Sequence, residues 1–367
     1  MKQEIPRRAL FQGTAALAAA LAAPRLSAAR SSSDSAEPIR LLANENPYGP
    51  AESARLAMAD ALYRGWRYAY DEERVLAEMI AEREGVDADH VALAAGSAEV
   101  LRLAVIGFAR QGGRVVSARP TFSFLPRYAA RMGCSLDQVD LDDNMVHDLD
   151  AMAERVSDQT RLVYICNPNN PTGTLLNADR LRDFIGAVSV QAPVVVDEAY
   201  IDLTSDPLRE SMMDQVRAGR RVVIARTFSK IHGLAGLRVG YAIAPPDIIR
   251  ALKSMRVTMP NGVSLAAATA SYQDKAFQQF SRARIRQCQD IARRTFEELK
   301  LTYTPSTANF VLFDTAGSVD EFRKFMRLNN VLVGGSYAPY DSWCRVSMGT
   351  VEQMQRFAAL TRDYFLA

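Results

Sequence analysis

Short apolar runs alternate with longer segments of helical length from residue 91 onwards. The apolar runs predict β-strands over residues 91–95, 115–117, 162–166, 194–196, 222–224 and 239–243. Strands that alternate with helices predict a mostly parallel sheet with helices on both faces. Ligands bind such sheets at the carboxyl ends of the strands, so we expect the chemistry at that edge.

The two flanks of this region have other patterns. Helices are predicted over 51–63 and 72–84, and a helical region runs from about 262 to 299 with a break near 271–275. The last segment alternates short strands at 309–314, 331–333 and 344–348 with two helices. We therefore expect an arm over residues 30–50, a large domain over 51–258 and a smaller α+β domain over 259–367, closed by the arm.

The first 29 residues have the features of a signal peptide. Arg7 and Arg8 precede an apolar run over 14–23, and small residues at 27–29 suit a peptidase. The arginine pair indicates the twin-arginine route and a periplasmic or secreted protein. The run is too short for a permanent membrane helix, which needs about 20 residues. The alternative is a disordered or amphipathic arm on a cytoplasmic protein.

Charge and composition exclude several classes of partner. Residues 1–29 hold four basic residues and one acidic residue, so a mature chain would keep 40 basic and 41 acidic residues. A near-neutral protein gives no electrostatic reason to bind nucleic acid or an anionic membrane. Four widely spaced cysteines and three histidines match no metal pattern, so no metal site is expected, and buried free thiols are favoured over disulfides.

Two groups of polar residues at predicted strand ends suit a phosphate. Lys230 follows the strand at 222–224, with Thr227, Ser229 and Arg238 around it. Gly96, Ser97 and Ala98 open a helix, whose first N–H groups attract anions. The alternatives are a surface lysine at 230 and a simple helix cap at Ser97.

Four further residues follow strands of the same sheet. They are Phe122, Asn170, Asp197 and Tyr200. Each has a structural alternative. Phe122 could pack in the core, Asn170 could serve only the turn, and Asp197 could cap a helix or pair with an arginine. Together the two groups above and these four residues supply an amine, a buried acid that needs a cation, a stacking ring, two groups that can bond an oxygen and two anion sites. This combination indicates a site for pyridoxal phosphate.

The chain resembles the fold-type I pyridoxal phosphate-dependent aminotransferases, in particular their histidinol-phosphate aminotransferase-like branch. Five ordered motifs between about residues 41 and 365 carry this resemblance: Asn44 to Pro50, Asn167 to Gly173, Asp197 to Tyr200, Thr227 to Gly240 and Arg345 to Thr350. It implies an α/β fold with a mostly parallel central sheet flanked by helices, a cofactor-binding large domain and a smaller α+β domain.

The resemblance also implies a role for each matched residue. Lys230 bonds covalently to the cofactor and moves the proton, Asp197 pairs with the pyridine nitrogen, and Asn170 and Tyr200 bond the phenolic oxygen. Phe122 stacks where the family often has a tyrosine. Gly96, Ser97, Ala98, Thr227, Ser229 and Arg238 hold the phosphate. Asn44 and Arg345 bind the substrate, and Tyr68 reaches the neighbouring subunit's site, which implies a homodimer with shared active sites.

One departure bears on the substrate. The strand at 331–333 is typically followed in histidinol-phosphate enzymes by an arginine that helps to hold the substrate phosphate, whereas Gly334 and Gly335 follow it here. We therefore expect transfer of an amino group between an amino acid or related amine and a 2-oxo acid, and not action on histidinol phosphate. The alternatives are a decarboxylase or other lyase on the same scaffold, and a non-catalytic cofactor-binding module of the kind attached to transcription regulators.

Overall fold

The computed structural model describes residues 37–367. Its largest sheet has seven strands in the order β2-β8-β7-β6-β5-β3-β4. These are β2 (Val91–Ala94), β3 (Arg114–Arg119), β4 (Ser135–Asp140), β5 (Thr160–Cys166), β6 (Val194–Asp197), β7 (Val222–Thr227) and β8 (Gly240–Ile243). Only β8 runs opposite to its neighbours β2 and β7. The predicted mostly parallel sheet is confirmed.

Helices cover both faces of this sheet. They are α1 (Glu52–Leu62), α2 (Tyr70–Glu84), α3 (Ser97–Ala109), α4 (Phe124–Arg131), α5 (Leu149–Glu154), α6 (Ala178–Val188), α7 (Pro207–Glu210), α8 (Met213–Arg217), α9 (Pro246–Met255) and α10 (Gly262–Gln273). Alternate residues of β6 pack into two different hydrophobic clusters, one on each face. All four residues of β6 are buried, which explains its continuous apolar run.

Two small sheets lie beside a third hydrophobic cluster. In one, β9 (Phe310–Asp314) pairs antiparallel with β11 (Trp343–Ser347); in the other, β1 (Ile39–Leu41) pairs parallel with β10 (Val331–Val333). Helices α11 (Lys275–Glu298), α12 (Val319–Leu328) and α13 (Val351–Leu366) complete this part. The rings of Phe296 and Phe313 stack at its centre, 4.4 Å apart. Strand β1 lies in the predicted arm and pairs with β10, whereas the bounds of the arm and of the small domain stay a prediction.

Several other predictions have an outcome here. All four cysteines are free and buried. None of the helices within residues 37–367 is long and apolar enough to cross a membrane. The predicted signal peptide lies outside the described residues. Helix α10 packs its apolar side chains into a cluster of the main sheet, and the domain boundary at residue 259 stays a prediction.

Candidate active site

A cavity of about 300 Å³ collects most of the predicted site residues. It lies where the strands of the main sheet end, between that sheet and the strand β11. The predicted residues that line it are Asn44, Ser97, Ala98, Phe122, Asn170, Asp197, Tyr200, Thr227, Ser229, Lys230, Arg238 and Arg345. Gly96 stands just behind this wall, and Tyr68 lies elsewhere.

Lys230 is held inside the cavity and is not a surface lysine. Its Nζ donates to the backbone oxygen of Asn44 at 3.0 Å and lies 5.3 Å from the centre of the Tyr200 ring. Burial, reinforced by the nearby Arg345 guanidinium, lowers the pKa of Lys230 to about 8. A neutral amine is therefore accessible near physiological pH, as a nucleophile or proton carrier requires.

Asp197 ends β6 as a buried carboxylate, and no arginine within residues 37–367 pairs with it. Its Oδ2 accepts from the Tyr164 hydroxyl at 3.2 Å, and its Oδ1 accepts from the backbone N–H of Ala199 at 3.2 Å. The buried arginine pair belongs instead to the next residue, Glu198, which accepts from Arg226 Nε at 2.9 Å. Burial raises the pKa of Asp197 to about 6, and a cation placed beside it would be strongly favoured.

Tyr200 and Asn44 form a hydrogen-bonded pair beneath Lys230. Asn44 Nδ2 donates to the Tyr200 hydroxyl at 3.0 Å, which leaves the tyrosine proton free to be donated into the cavity. Burial raises the pKa of Tyr200, so the hydroxyl stays protonated. Ser347 fixes the asparagine by donating to its Oδ1 at 2.7 Å.

The predicted phosphate-binding residues converge on the N-terminus of α3. Thr227 and Ser229 join their hydroxyls at 2.8 Å, and Arg238 Nη1 donates to Ser229 Oγ at 3.3 Å. The helix begins at Ser97 with no side-chain cap, so the cap interpretation of Ser97 is wrong. Gly96 has φ +85°, and a Cβ there would lie 2.2 Å from the guanidinium of Arg238. Only glycine leaves room for this cation beside the free N–H groups.

Arg345 faces the cavity from β11 with unused donors. It donates to Asn170 Oδ1 through Nη1 and to the backbone oxygen of Leu42 through Nη2. Its Nε is buried and has no hydrogen-bond partner in the part of the chain that the structure describes. A guanidinium has five N–H donors, so donors remain for an incoming carboxylate.

Residues 36–360 match the family model described as aminotransferase class I and II. The chain belongs to the class I and II aminotransferases. Relatives include the histidinol-phosphate aminotransferase of Moorella thermoacetica, 38% identical over 89% of this chain and 85% of that protein. The corresponding protein of Halalkalibacterium halodurans is 33% identical over 89% of this chain and 88% of that protein. The structure of Sinorhizobium meliloti histidinol-phosphate aminotransferase in complex with pyridoxal-5'-phosphate has a TM-score of 0.82, with 28% identity and coverage of 89% and 92%.

This aminotransferase has a site whose residues fit pyridoxal phosphate. The helix N-terminus, the two hydroxyls and Arg238 suit its phosphate, and the buried Asp197 lacks the cation that a protonated pyridine nitrogen supplies. When bound, the cofactor accepts the electrons released at the substrate Cα. With the cofactor in place, Lys230 would be positioned to carry a proton, Asp197 to pair with the positive charge of the ring, and Arg345 to orient a substrate carboxylate.

Two predicted residues need separate comment. The Phe122 ring is only half-buried: it packs against a hydrophobic cluster of the main sheet, lines the cavity and stacks on Phe124 with centroids 6.2 Å apart. Tyr68 is 80% exposed, on a different surface next to α1. Its predicted place in a neighbouring subunit's site stays a prediction.

Sequence reasoning missed three residues that hold the site together. Tyr164 supports Asp197, Ser347 supports Asn44, and Asn309 donates through Nδ2 to the backbone oxygen of Asn44 at 3.0 Å. Tyr164 and Ser347 left a signal, because each places a hydroxyl in a predicted strand, where a buried polar group must find a partner. None of the three lies in a loop that follows a strand of the main sheet.

Proposed function

We propose that this aminotransferase moves an amino group between an amino acid, or a related amine, and a 2-oxo acid, and that histidinol phosphate is not its substrate. The observation that carries the proposal is the charge of the substrate side of the cavity. On the substrate side, Arg345 is the arginine that lines the cavity, whereas Arg238 lies among the groups predicted to bind the cofactor phosphate. A single guanidinium suits a carboxylate.

The backbone at Gly334 supports this choice. Gly334 N donates to the backbone oxygen of Arg345 at 2.9 Å, which places the two backbones side by side. A Cβ at Gly334 would lie 2.5 Å from that same oxygen. The local chain path therefore has no room for a side chain at this position. The backbone at Gly334 excludes the arginine that histidinol-phosphate enzymes typically have here.

Spectroscopy of the cofactor-loaded chain tests the proposal. Single amino acids, amines and histidinol phosphate are added in turn, and the visible absorption of the bound cofactor is followed. We expect loss of the visible band with an amino acid, its return with a 2-oxo acid, and no change with histidinol phosphate. Arg345→Ala should raise KM for the donor about 10- to 100-fold, because charge-assisted hydrogen bonds are lost. Rapid turnover of histidinol phosphate would contradict the substrate proposal, and release of carbon dioxide would favour a lyase.

The proposal includes a homodimer with shared active sites. Tyr68 and Trp66, which is 82% exposed, are large aromatic side chains turned to solvent beside a cavity of about 470 Å³. Exposed apolar clusters of this kind mark interaction surfaces. A second copy of the chain would cover them and receive Tyr68 in its own active site.

Mixing two inactive variants tests the shared site. Lys230→Ala and Tyr68→Ala chains are unfolded together and refolded as a mixture. Heterodimers would contain one site with both wild-type residues, so roughly a quarter of wild-type activity should return for a two-fold dimer. Sites completed within one chain would give no recovery.

We also propose export by the twin-arginine route, on the basis of residues 1–29. Fractionation of cells should place the cleaved protein outside the cytoplasm. Replacing Arg7 and Arg8 by lysine should retain it inside, whereas Arg25→Lys serves as the matched control. Export of the double variant would refute the twin-arginine route, and an uncleaved wild-type chain in the cytoplasm would leave the cytoplasmic alternative.

A further inference from the structure

One charged residue of the catalytic cavity has no partner in the cofactor or in the substrate carboxylate. Among the described residues, five charged side chains line this cavity of about 300 Å³: Glu45, Asp197, Lys230, Arg238 and Arg345. Asp197, Lys230 and Arg238 fit the cofactor, and Arg345 fits the carboxylate of the substrate. Glu45 is therefore the charge that remains once the cofactor and that carboxylate are bound.

Glu45 lies beside the amine of Lys230. Its backbone oxygen accepts from Asn309 Nδ2 at 3.2 Å, and the same amide donates to the backbone oxygen of Asn44, which accepts from Lys230 Nζ at 3.0 Å. Burial lowers the pKa of Lys230, and the Glu45 carboxylate is one of the charges that oppose this effect. A substrate held between Lys230 and Arg345 shares one cavity with this carboxylate, so its side chain can reach Glu45 without leaving that cavity.

The carboxylate of Glu45 is available to a new partner. Its Oε1 accepts from Arg40 Nη2 at 3.2 Å, and no other hydrogen bond reaches this carboxylate from residues 37–367. The side chains of Arg40 and Glu45 are 60% and 43% exposed. An ion pair between exposed side chains contributes little to stability, because water screens it. A cation that enters the cavity can therefore replace Arg40 or share the carboxylate with it.

The opposite charges of Arg345 and Glu45 determine which substrate side chains fit. A side chain that ends in a carboxylate would be repelled by Glu45. A guanidinium or an ammonium would instead form charge-assisted hydrogen bonds with it. Ala43 and Ala235 line the same cavity, and because their side chains end at Cβ they leave space for the methylene groups of a long side chain.

We propose that Glu45 is the specificity-determining residue of the catalytic cavity and selects an amino acid whose side chain ends in a positive charge. This inference rests on the proposed function, because it takes Arg345 to bind the substrate carboxylate. The substrate lies with its carboxylate on Arg345, its amino group towards Lys230 and its side-chain cation on Glu45. Both oxygens of a carboxylate can accept from one guanidinium, so a side chain like that of arginine fits best.

Three inert acids of equal size test this charge preference without turnover. They are 4-guanidinobutanoate, 6-methylheptanoate and adipate, which share a carboxylate and the same branched outline but end in a positive, a neutral and a negative group. Calorimetry on the cofactor-loaded chain measures their dissociation constants. We expect 4-guanidinobutanoate to bind about tenfold more tightly than adipate. Equal or tighter binding of adipate in the wild-type chain would overturn the inference without any variant.

Replacement of Glu45 by glutamine separates a charge effect from a structural one, because the amide keeps the shape of the side chain. Glu45→Gln should weaken the binding of 4-guanidinobutanoate about tenfold and change that of 6-methylheptanoate less than about twofold. Glu37→Gln is the matched control, since Glu37 is an exposed acid of the same arm outside the cavity, and it should bind both acids as the wild type does. Equal losses for both acids in Glu45→Gln would show that Glu45 only shapes the cavity, and would overturn the inference.

Donor specificity distinguishes this inference from the function on which it rests. Faster transfer from arginine or ornithine than from glutamate supports the role of Glu45. Transfer from glutamate or phenylalanine alone would overturn that role and leave the proposed function standing. Transfer from no amino acid, with 4-guanidinobutanoate still bound more tightly than adipate, would overturn the proposed function only.

Discussion

Replacement of Tyr164 by phenylalanine tests how the chain keeps its buried carboxylate ionised. The Tyr164 hydroxyl donates to Asp197 Oδ2 at 3.2 Å, and burial keeps the tyrosine protonated by raising its pKa. Burial alone favours the neutral form of Asp197, whose pKa is already about 6. The hydroxyl is one of the groups that oppose this effect, so its loss should raise the pKa of Asp197 further.

The size of the effect follows from the hydrogen bond. A bond to a charged group contributes about 1.5–3 kcal/mol, or roughly one to two pKa units. The pKa of Asp197 would then rise from about 6 to roughly 7 or 8. Ionised Asp197 is the form that pairs with a protonated pyridine nitrogen. The dissociation constant of the cofactor should therefore rise about two- to tenfold at neutral pH and return to the wild-type value near pH 9.

The assay is a titration of the cofactor-free chain with pyridoxal phosphate at several pH values, read by visible absorption. Tyr241→Phe is the matched control, because Tyr241 is also buried but makes no hydrogen bond to Asp197. The ratio of variant to wild-type dissociation constants removes the pH dependence of the cofactor itself. A ratio that does not change with pH, or that equals the control, would refute the reasoning.

Three more predictions follow from the same contacts. The rate of covalent cofactor attachment should rise with pH through about 8, because only the neutral amine of Lys230 reacts, and Lys230→Ala should show no attachment by visible absorption. Gly96→Ala should weaken cofactor binding by displacing Arg238, whereas Gly85→Ala, also at positive φ but in open space, should only lower stability by about 1 kcal/mol; titration and denaturant unfolding separate the two effects. Arg226→Met should cost about 3–5 kcal/mol in the free energy of unfolding, because two buried glutamates lose their partner, and unchanged unfolding in denaturant would contradict this.

The main sheet was predictable because its central strands are buried on both faces. Four of the six predicted strands in this sheet lie wholly within observed strands, β2 ends one residue earlier than predicted, and β8 begins one residue later. The missed strand, β4, forms the edge of the sheet. Its sequence is polar, because it contains Asp137, Gln138 and Asp140. A strand at the edge of a sheet can carry such residues, because only one of its sides is buried. Helix α9 was missed as well, although two prolines at its start fit the first turn of a helix.

Site residues were predictable where a loop follows a strand, and contacts between them were not. Asp197 comes directly after a strand signal, and Asn170 and Lys230 lie in the loops that follow two others, so topology alone brings them to one edge. The sequence does not show whether Asp197 or Glu198 pairs with Arg226. The two acids are adjacent, and only the fold gives them different surroundings. The fold gives Arg226 to Glu198 and leaves Asp197 for a cation from outside the chain.

Asn44 shows why a motif can be recognised without its role being clear. Its backbone oxygen accepts from Lys230 Nζ, while its side chain contacts Tyr200 and Ser347. It adopts φ +54°, a left-handed conformation that asparagine tolerates better than most residues. One residue of the N-terminal segment thus joins the amine that follows β7 to the strand that carries Arg345. Because every one of these partners is distant in sequence, the motif alone did not indicate that Asn44 ties the amine of Lys230 to the strand that carries Arg345.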